Sequence, residues 1–295
     1  MVPTETPRAL SRLVLTGVGL AVFVLAYGWL LLTGTTEITR SSDPGASGIS
    51  LWAAVLPPLA ALVLARLVPT KREVPSPLTG LPRARLLKEA WILVGTALLL
   101  AFVAPVVRGQ DLLYPLIKIL FLLVVPLAAF RLIRGDGPKA TAIPAPATWL
   151  APLPAVVAWF LLSQVGPLAA PLTQKLPDPI SLIVGSLITL LTASVLEEVF
   201  YRGWLQTRLE ALYGRWPAIM TSSLLFALMH SSRLHADALL LGLATIVAFQ
   251  GVFALMLGYL WARYRNIWVI ILIHTLTNLV LVPLLVSALT GTPHP

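Results

Sequence analysis

Residues 194–204 read Ser-Val-Leu-Glu-Glu-Val-Phe-Tyr-Arg-Gly-Trp and close an apolar run that begins near Ile180. Two adjacent carboxylates, Glu197 and Glu198, therefore stand at the end of a hydrophobic segment long enough to cross a bilayer. Each costs a few kcal/mol on membrane-insertion scales, and an ionisable residue in such a place is a functional-site hypothesis by default. The chain around them has to explain what faces the pair.

The composition restricts the answer. The 295 residues are 58% hydrophobic and 11% charged, with a mean hydropathy of +0.88, whereas a soluble domain carries about 25% charged residues. A surface this poor in charge cannot be solvated, so the expectation is an all-α integral membrane protein. The net charge of +9 does not indicate nucleic acid, because Lys and Arg fall in short loops between apolar runs. The chain has no cysteine. That excludes thiolate nucleophiles, Cys-bound metal, disulfides and cysteine-linked lipid.

A bilayer core takes about 20 apolar residues as a helix. On that measure nine segments stand out, roughly 12–32, 50–68, 90–107, 112–130, 148–166, 180–200, 217–232, 238–260 and 267–288. They predict a polytopic bundle of about eight to nine transmembrane helices. The first, with Arg8 and Arg12 ahead of it, reads as an uncleaved anchor rather than a signal peptide. The prolines, Pro57-Pro58 among them, are expected at segment ends. Residues 231–237 form a short polar break that fits a loop or a re-entrant turn.

Lys and Arg then orient the bundle. Residues 1–12, 69–89, 131–147, 201–216 and 261–266 hold 15 of them, and the alternate loops hold 4. By the positive-inside rule the N-terminus is cytoplasmic, the C-terminus is outside, and the Glu pair lies near the cytoplasmic face. Residues 1–145 read as four segments without an intramembrane carboxylate. Residues 146–295 carry the chemistry.

Positions four apart share a helix face, which singles out Glu198 with Arg202, Phe226 with His230, and His274 with Asn278. Neighbouring residues on a helix point about 100° apart. Glu198 is thus placed to pair with Arg202, leaving Glu197 free to act elsewhere. An amide one turn from an imidazole can fix its tautomer or donate to a developing oxyanion. Each feature also has a plain structural reading: an interfacial Glu–Arg pair that ends a helix, a packed core histidine, a polar helix–helix contact. His235, beside Arg233 and Asp237, reads as surface. No Gly-x-Ser-x-Gly, His-Glu-x-x-His or Gly-x-Gly-Asp occurs, so three familiar intramembrane chemistries lose their signatures.

The ordered set Glu-Glu-x-x-x-Arg (197–202), Phe-x-x-x-His (226–230) and His-x-x-x-Asn (274–278), with Arg202-Gly203 and Gly258-Tyr259-Leu260, resembles the CPBP family. These are the CAAX proteases and bacteriocin-processing enzymes, glutamate-type intramembrane proteases. The resemblance covers roughly 148–288. It implies an endopeptidase that hydrolyses a peptide bond of a membrane-anchored protein or peptide, with no nucleic-acid partner. Glu197 would be the general base that activates water. His230 and His274 would hold the water or polarise the carbonyl, and Asn278 would stabilise the oxyanion. Glu198, Arg202 and Phe226 would support the site. Glu197, His230 and His274 are also a set that holds zinc, and the same residues suit a metal-free hydrolysis, which Asn278 favours. A non-catalytic scaffold or bacteriocin-immunity protein that keeps the helices is the alternative, and a proton-coupled transporter is a third. The Ala, Leu and Pro content points to a GC-rich bacterium, hence to the bacterial cytoplasmic membrane.

Depth is a further expectation. At 1.5 Å per residue, a cytoplasmic edge near Tyr201–Trp204 puts Glu197 roughly 8–10 Å deep and His274 about 12 Å deep. His230, counted from Pro217, comes out near 20 Å and does not match.

Overall fold

The computed structural model describes residues 6–39, 47–69, 80–110, 112–135, 142–173, 175–234 and 236–290, with the isolated positions 74, 77, 78, 137 and 139. His235 and His294 lie outside the described residues. The architecture is all-α with one small hairpin. The helices are α1 (Thr6–Leu32), α2 (Leu51–Leu67), α3 (Arg83–Val103), α4 (Leu113–Arg134), α5 (Leu153–Val165), α6 (Pro179–Tyr213), α7 (Arg215–Leu228), α8 (Leu239–Tyr264), α9 (Ile267–Asn278) and α10 (Leu281–Thr290). Strands β1 (Glu37–Thr39) and β2 (Gly48–Ser50) pair antiparallel between α1 and α2, Ile38 opposite Ile49. Among the described residues five helices, α1, α3, α4, α6 and α8, are long and apolar enough to cross a membrane. The shorter apolar helices α2, α5 and α9 accompany them.

Eight of the nine expected segments correspond to apolar helices among the described residues, and α7, where 217–232 was expected, is not one of them. The details differ further. The run expected to stop near residue 200 continues as α6 to Tyr213, 35 residues in all. Arg202 and Arg208, counted as loop charges, are buried inside that helix, and Arg265 is buried too. Pro57 and Pro58 lie inside α2, both buried, and not at its end. The run 267–288 divides at Leu279, whose extended backbone separates α9 from α10. Finally, the break after α7 consists of short 3₁₀ turns, Ser231–Arg233 and Ala236–Ala238.

Caps and close approaches set the frame. Asp178 opens α6 by accepting from the backbone N–H of Ile180 and Ser181 at 3.1 Å, with Pro179 as the first helical residue. A single residue, Gly214 at φ 90°, then reverses the chain into α7. α1 meets α7 at Gly19, where any side chain would fall 2.6 Å from Cβ of Met220. The larger core joins α2 through α9, with Leu93, Leu100, Leu122, Trp159, Phe200, Phe226, Leu257 and Ile270 among its buried members. A smaller one joins α1 and the hairpin to α7 and α8.

The longer α6 removes the disagreement in depth. Glu197 is sixteen positions before the helix end at Tyr213, about 24 Å along the axis, and His230 is fifteen positions after Arg215, about 22 Å. The two helices meet at Gly214, so both residues sit at one level near the middle of α6. Glu197 is not near the helix end.

Candidate active site

The residues Leu196–Glu198 form a short α-helical step between two π-helical stretches of α6, Leu190–Val195 and Val199–Gln206. The π-helix is rare and frequent at functional sites. Within the α-helical step the two neighbouring carboxylates point about 100° apart and so meet different partners.

Glu198 is fully buried. Its Oε1 accepts from Nη1 of Arg202 at 2.9 Å and from Nδ1 of His274 at 2.7 Å. Arg202 donates again from Nη2 to the carbonyl of Ala254 on α8 at 3.2 Å, and its guanidinium lies 4.5 Å from the ring centre of Phe226. The Glu198–Arg202 pair is the one expected from spacing. Of the two roles open to Asn278, fixing the His274 tautomer or donating to an oxyanion, the first is taken by Glu198, which holds Nδ1. With Nδ1–H given to a carboxylate, Nε2 is left as the acceptor.

Glu197 is not free. The ammonium of Lys118, on α4, donates to its Oε1 at 2.5 Å, and both side chains are buried. Its other oxygen, Oε2, lies 3.9 Å from Nε2 of His274. That separation is too long for a direct hydrogen bond and is the kind that a shared water or substrate atom spans. The cluster therefore holds two anions, Glu197 and Glu198, against two cations, Lys118 and Arg202, with His274 between the carboxylates. Near-neutral pairing of this sort is what buried charge requires.

His230 ends α7. Its Nδ1 faces the carbonyl of Phe226 at 3.1 Å, which makes Nδ1 the donor and Nε2 the free nitrogen. The Phe226 ring stands beside both imidazoles, 5.2 Å from His230 and 5.7 Å from His274, and Phe253 closes on His274 at 5.4 Å. His230, His274 and Asn278 line one cavity of about 130 Å³ together with Arg233 and Gln250. Its far side is formed by Ser47, the segment Ala170–Thr173, Val280 and Pro283. Asn278, the last residue of α9, is exposed there.

The zinc set does not fit this arrangement. No group of three His, Asp or Glu donors is gathered closely enough for a metal among the described residues. One oxygen of Glu197 is already held by an ammonium.

Sequence reasoning missed Lys118, which is the lone basic residue inside the apolar run 112–130. By the cost argument used for Glu197, that alone marks it. Glu89 and Glu210 were missed as well. Glu89 is fully buried in α3, where it accepts from Arg85 at 2.8 Å and from Arg208 of α6 at 2.7 Å. The expectation of no intramembrane carboxylate before residue 146 is therefore corrected. Glu210 pairs with Arg265, and it accepts from Gln206, whose amide also donates to the carbonyl of Gly258 at 2.8 Å. These long-range partners explain why a helix bearing two arginines can continue past residue 200.

Residues 179–280 match the family model described as Rce1-like, type II CAAX prenyl endopeptidase. The matched stretch contains Glu197, Glu198, Arg202, Phe226, His230, His274 and Asn278, and it excludes Lys118 and Glu89. No curated protein and no solved structure matches the chain.

Proposed function

We propose, from the Rce1-like family match over residues 179–280, that this membrane protein is an intramembrane endopeptidase. Its substrate is a membrane-anchored protein or peptide, cleaved by glutamate-activated water. One observation carries the mechanism. The free oxygen of Glu197 and Nε2 of His274 face each other at 3.9 Å, while Glu198 holds the opposite nitrogen of the same ring.

In this reading Glu197 is the general base. A water between Oε2 and the imidazole gives its proton to the carboxylate as its oxygen bonds to the scissile carbonyl carbon. The carbonyl oxygen becomes the oxyanion. The Asn278 amide is its donor, and His230 polarises the same carbonyl from across the cavity. Collapse breaks the C–N bond, and the proton on Glu197 passes to the leaving amine. Glu198 and Arg202 orient His274, and Phe226 keeps the two imidazoles apart. Lys118 balances the charge of Glu197 and fixes which oxygen is free. No step passes through a metal.

Residues 146–295 are the protease core in this reading and residues 1–145 its amino-terminal helices. The N-terminus faces the cytoplasm of a bacterial cytoplasmic membrane.

The test is a comparison of membranes from cells expressing wild type or Glu197→Gln at equal protein levels, with new protein termini read by mass spectrometry. Termini that appear only with wild type name the substrate. General-base loss lowers the rate by about 10²–10⁴-fold. Equal termini in both membranes would move the protein to a scaffold role.

A further inference from the structure

A second polar feature lies away from the candidate active site, where the C-terminal ends of α2 and α8 meet the start of α7. A cleft of about 450 Å³ is lined there by Arg66, Arg215 and Arg263, by the aromatic pair Trp216 and Tyr259, and by Leu62, Val63 and Leu67. The volume is that of an ordinary small-ligand site. Trp216 and Tyr259 stack at 5.7 Å with 29° between their planes. Val63, Leu67 and Trp216 are exposed, Leu67 at 70%, so one wall is apolar and faces outward.

The three arginines carry the argument. None forms an ion pair with a carboxylate among the described residues, whereas the buried arginines 202, 208 and 265 and the half-buried Arg85 all do. Arg263 donates to the carbonyl of Val68 at 2.7 Å, and its Nε is buried without a partner. Arg66 and Arg263 lie in the last turns of α2 and α8, where a cation is favoured by the helix dipole. Arg215 is different. It is the first residue of α7, where the dipole disfavours a cation by about 0.3–1 kcal/mol. An anion held in the cleft would offset that cost.

We propose that this cleft binds the phosphodiester headgroup of an anionic glycerophospholipid. The phosphate lies among the three guanidiniums, and an acyl chain runs along Leu62, Val63 and Leu67. Basic pockets between membrane helices on the positively charged side bind such headgroups, and Arg forks match phosphate oxygens. Trp216 and Tyr259 are of the amphipathic aromatic type enriched at membrane–water interfaces.

The experiment is native mass spectrometry of the full chain in detergent, titrated with phosphatidylglycerol or with phosphatidylcholine of the same acyl chains. Inorganic phosphate and glycerol phosphate form a third arm. The variants are Arg66→Gln/Arg215→Gln, which leaves the Arg263–Val68 bond intact, and a control, Arg83→Gln/Lys88→Gln, that removes two exposed charges elsewhere. At about 1 kcal/mol per arginine, the double variant is expected to bind phosphatidylglycerol about 25-fold more weakly, with the control unchanged. Equal weakening in the control would reduce the effect to surface charge and overturn the site. So would equal binding of the two lipids. Retention of soluble phosphate as tight as that of the lipid would replace the lipid with a free phosphate. All three readings are independent of proteolysis.

Discussion

Lys118 and Glu197 stand 79 positions apart and meet at 2.5 Å inside the bundle. Removing one member of a buried ion pair costs about 3–5 kcal/mol, because the other is left uncompensated. Lys118→Met is therefore expected to lower the amount of folded protein and to cut kcat about 10–100-fold, by analogy with the loss when a residue orienting a metal ligand is removed. Lys118→Arg should restore abundance but only part of kcat, since a planar fork replaces a point charge. A Met variant with normal turnover per folded molecule would remove Lys118 from the site. Asn278→Ala tests a different role. An oxyanion donor lost from an acyl-transfer site costs about 10²–10³-fold in kcat, and Asn278 is exposed on the cavity wall, so abundance should not change. Read from the sequence alone, the Glu198–Arg202 pair was legible because both partners lie one turn apart. The partners of Glu197 and Glu198 from α4 and α9 were not, because nothing in a local pattern encodes a contact across 76 or 79 residues.

At the level of the element, α6 does most of the organising. It carries the Glu197–Glu198 step between two π-helical stretches, then Gln206, Thr207, Arg208 and Glu210 on its buried turns. Each of the four has a partner outside α6: Gly258 for Gln206, Trp261 for Thr207, Glu89 for Arg208 and, in the turn after α8, Arg265 for Glu210. The charges after residue 200 imitate a loop, but they are neutralised by Glu198 within α6, by Glu89 on α3 and by Arg265 in the turn after α8. That is why the sequence placed the end of this helical run about a dozen residues before Tyr213. Gly258 shows how close the packing is, since a Cβ there would fall 2.8 Å from the Gln206 side-chain oxygen. Gly258→Val is expected to push α8 from α6, break the Gln206 bonds and destabilise the protein by about 1–3 kcal/mol. A thermal-unfolding midpoint in detergent equal to wild type would refute this close approach. Arg202→Ala, which strands Glu198 and its link to His274, should lower both abundance and activity.

Across the whole molecule, the part that resembles a known family and the part that does not are joined by charge. Every candidate catalytic residue lies in 179–280, yet Glu197 and Arg208 find their counter-ions on α4 and α3. A fragment of residues 146–295 is accordingly expected to accumulate poorly and to show no proteolysis, and co-expression with residues 1–145 should recover both. An active fragment alone would show the amino-terminal helices to be dispensable. The membrane character was legible because it follows from composition and run length, whereas the interlocking of the two halves is tertiary. The order of these partners along the chain has a consequence for biosynthesis. Glu89 precedes Arg208 by 119 residues and Lys118 precedes Glu197 by 79. At roughly 5–20 residues per second, the earlier members leave the ribosome seconds before α6 does. α6 is then inserted next to counter-charges already in the membrane, and its Glu197 and Arg208 need not wait in lipid for partners still to be made.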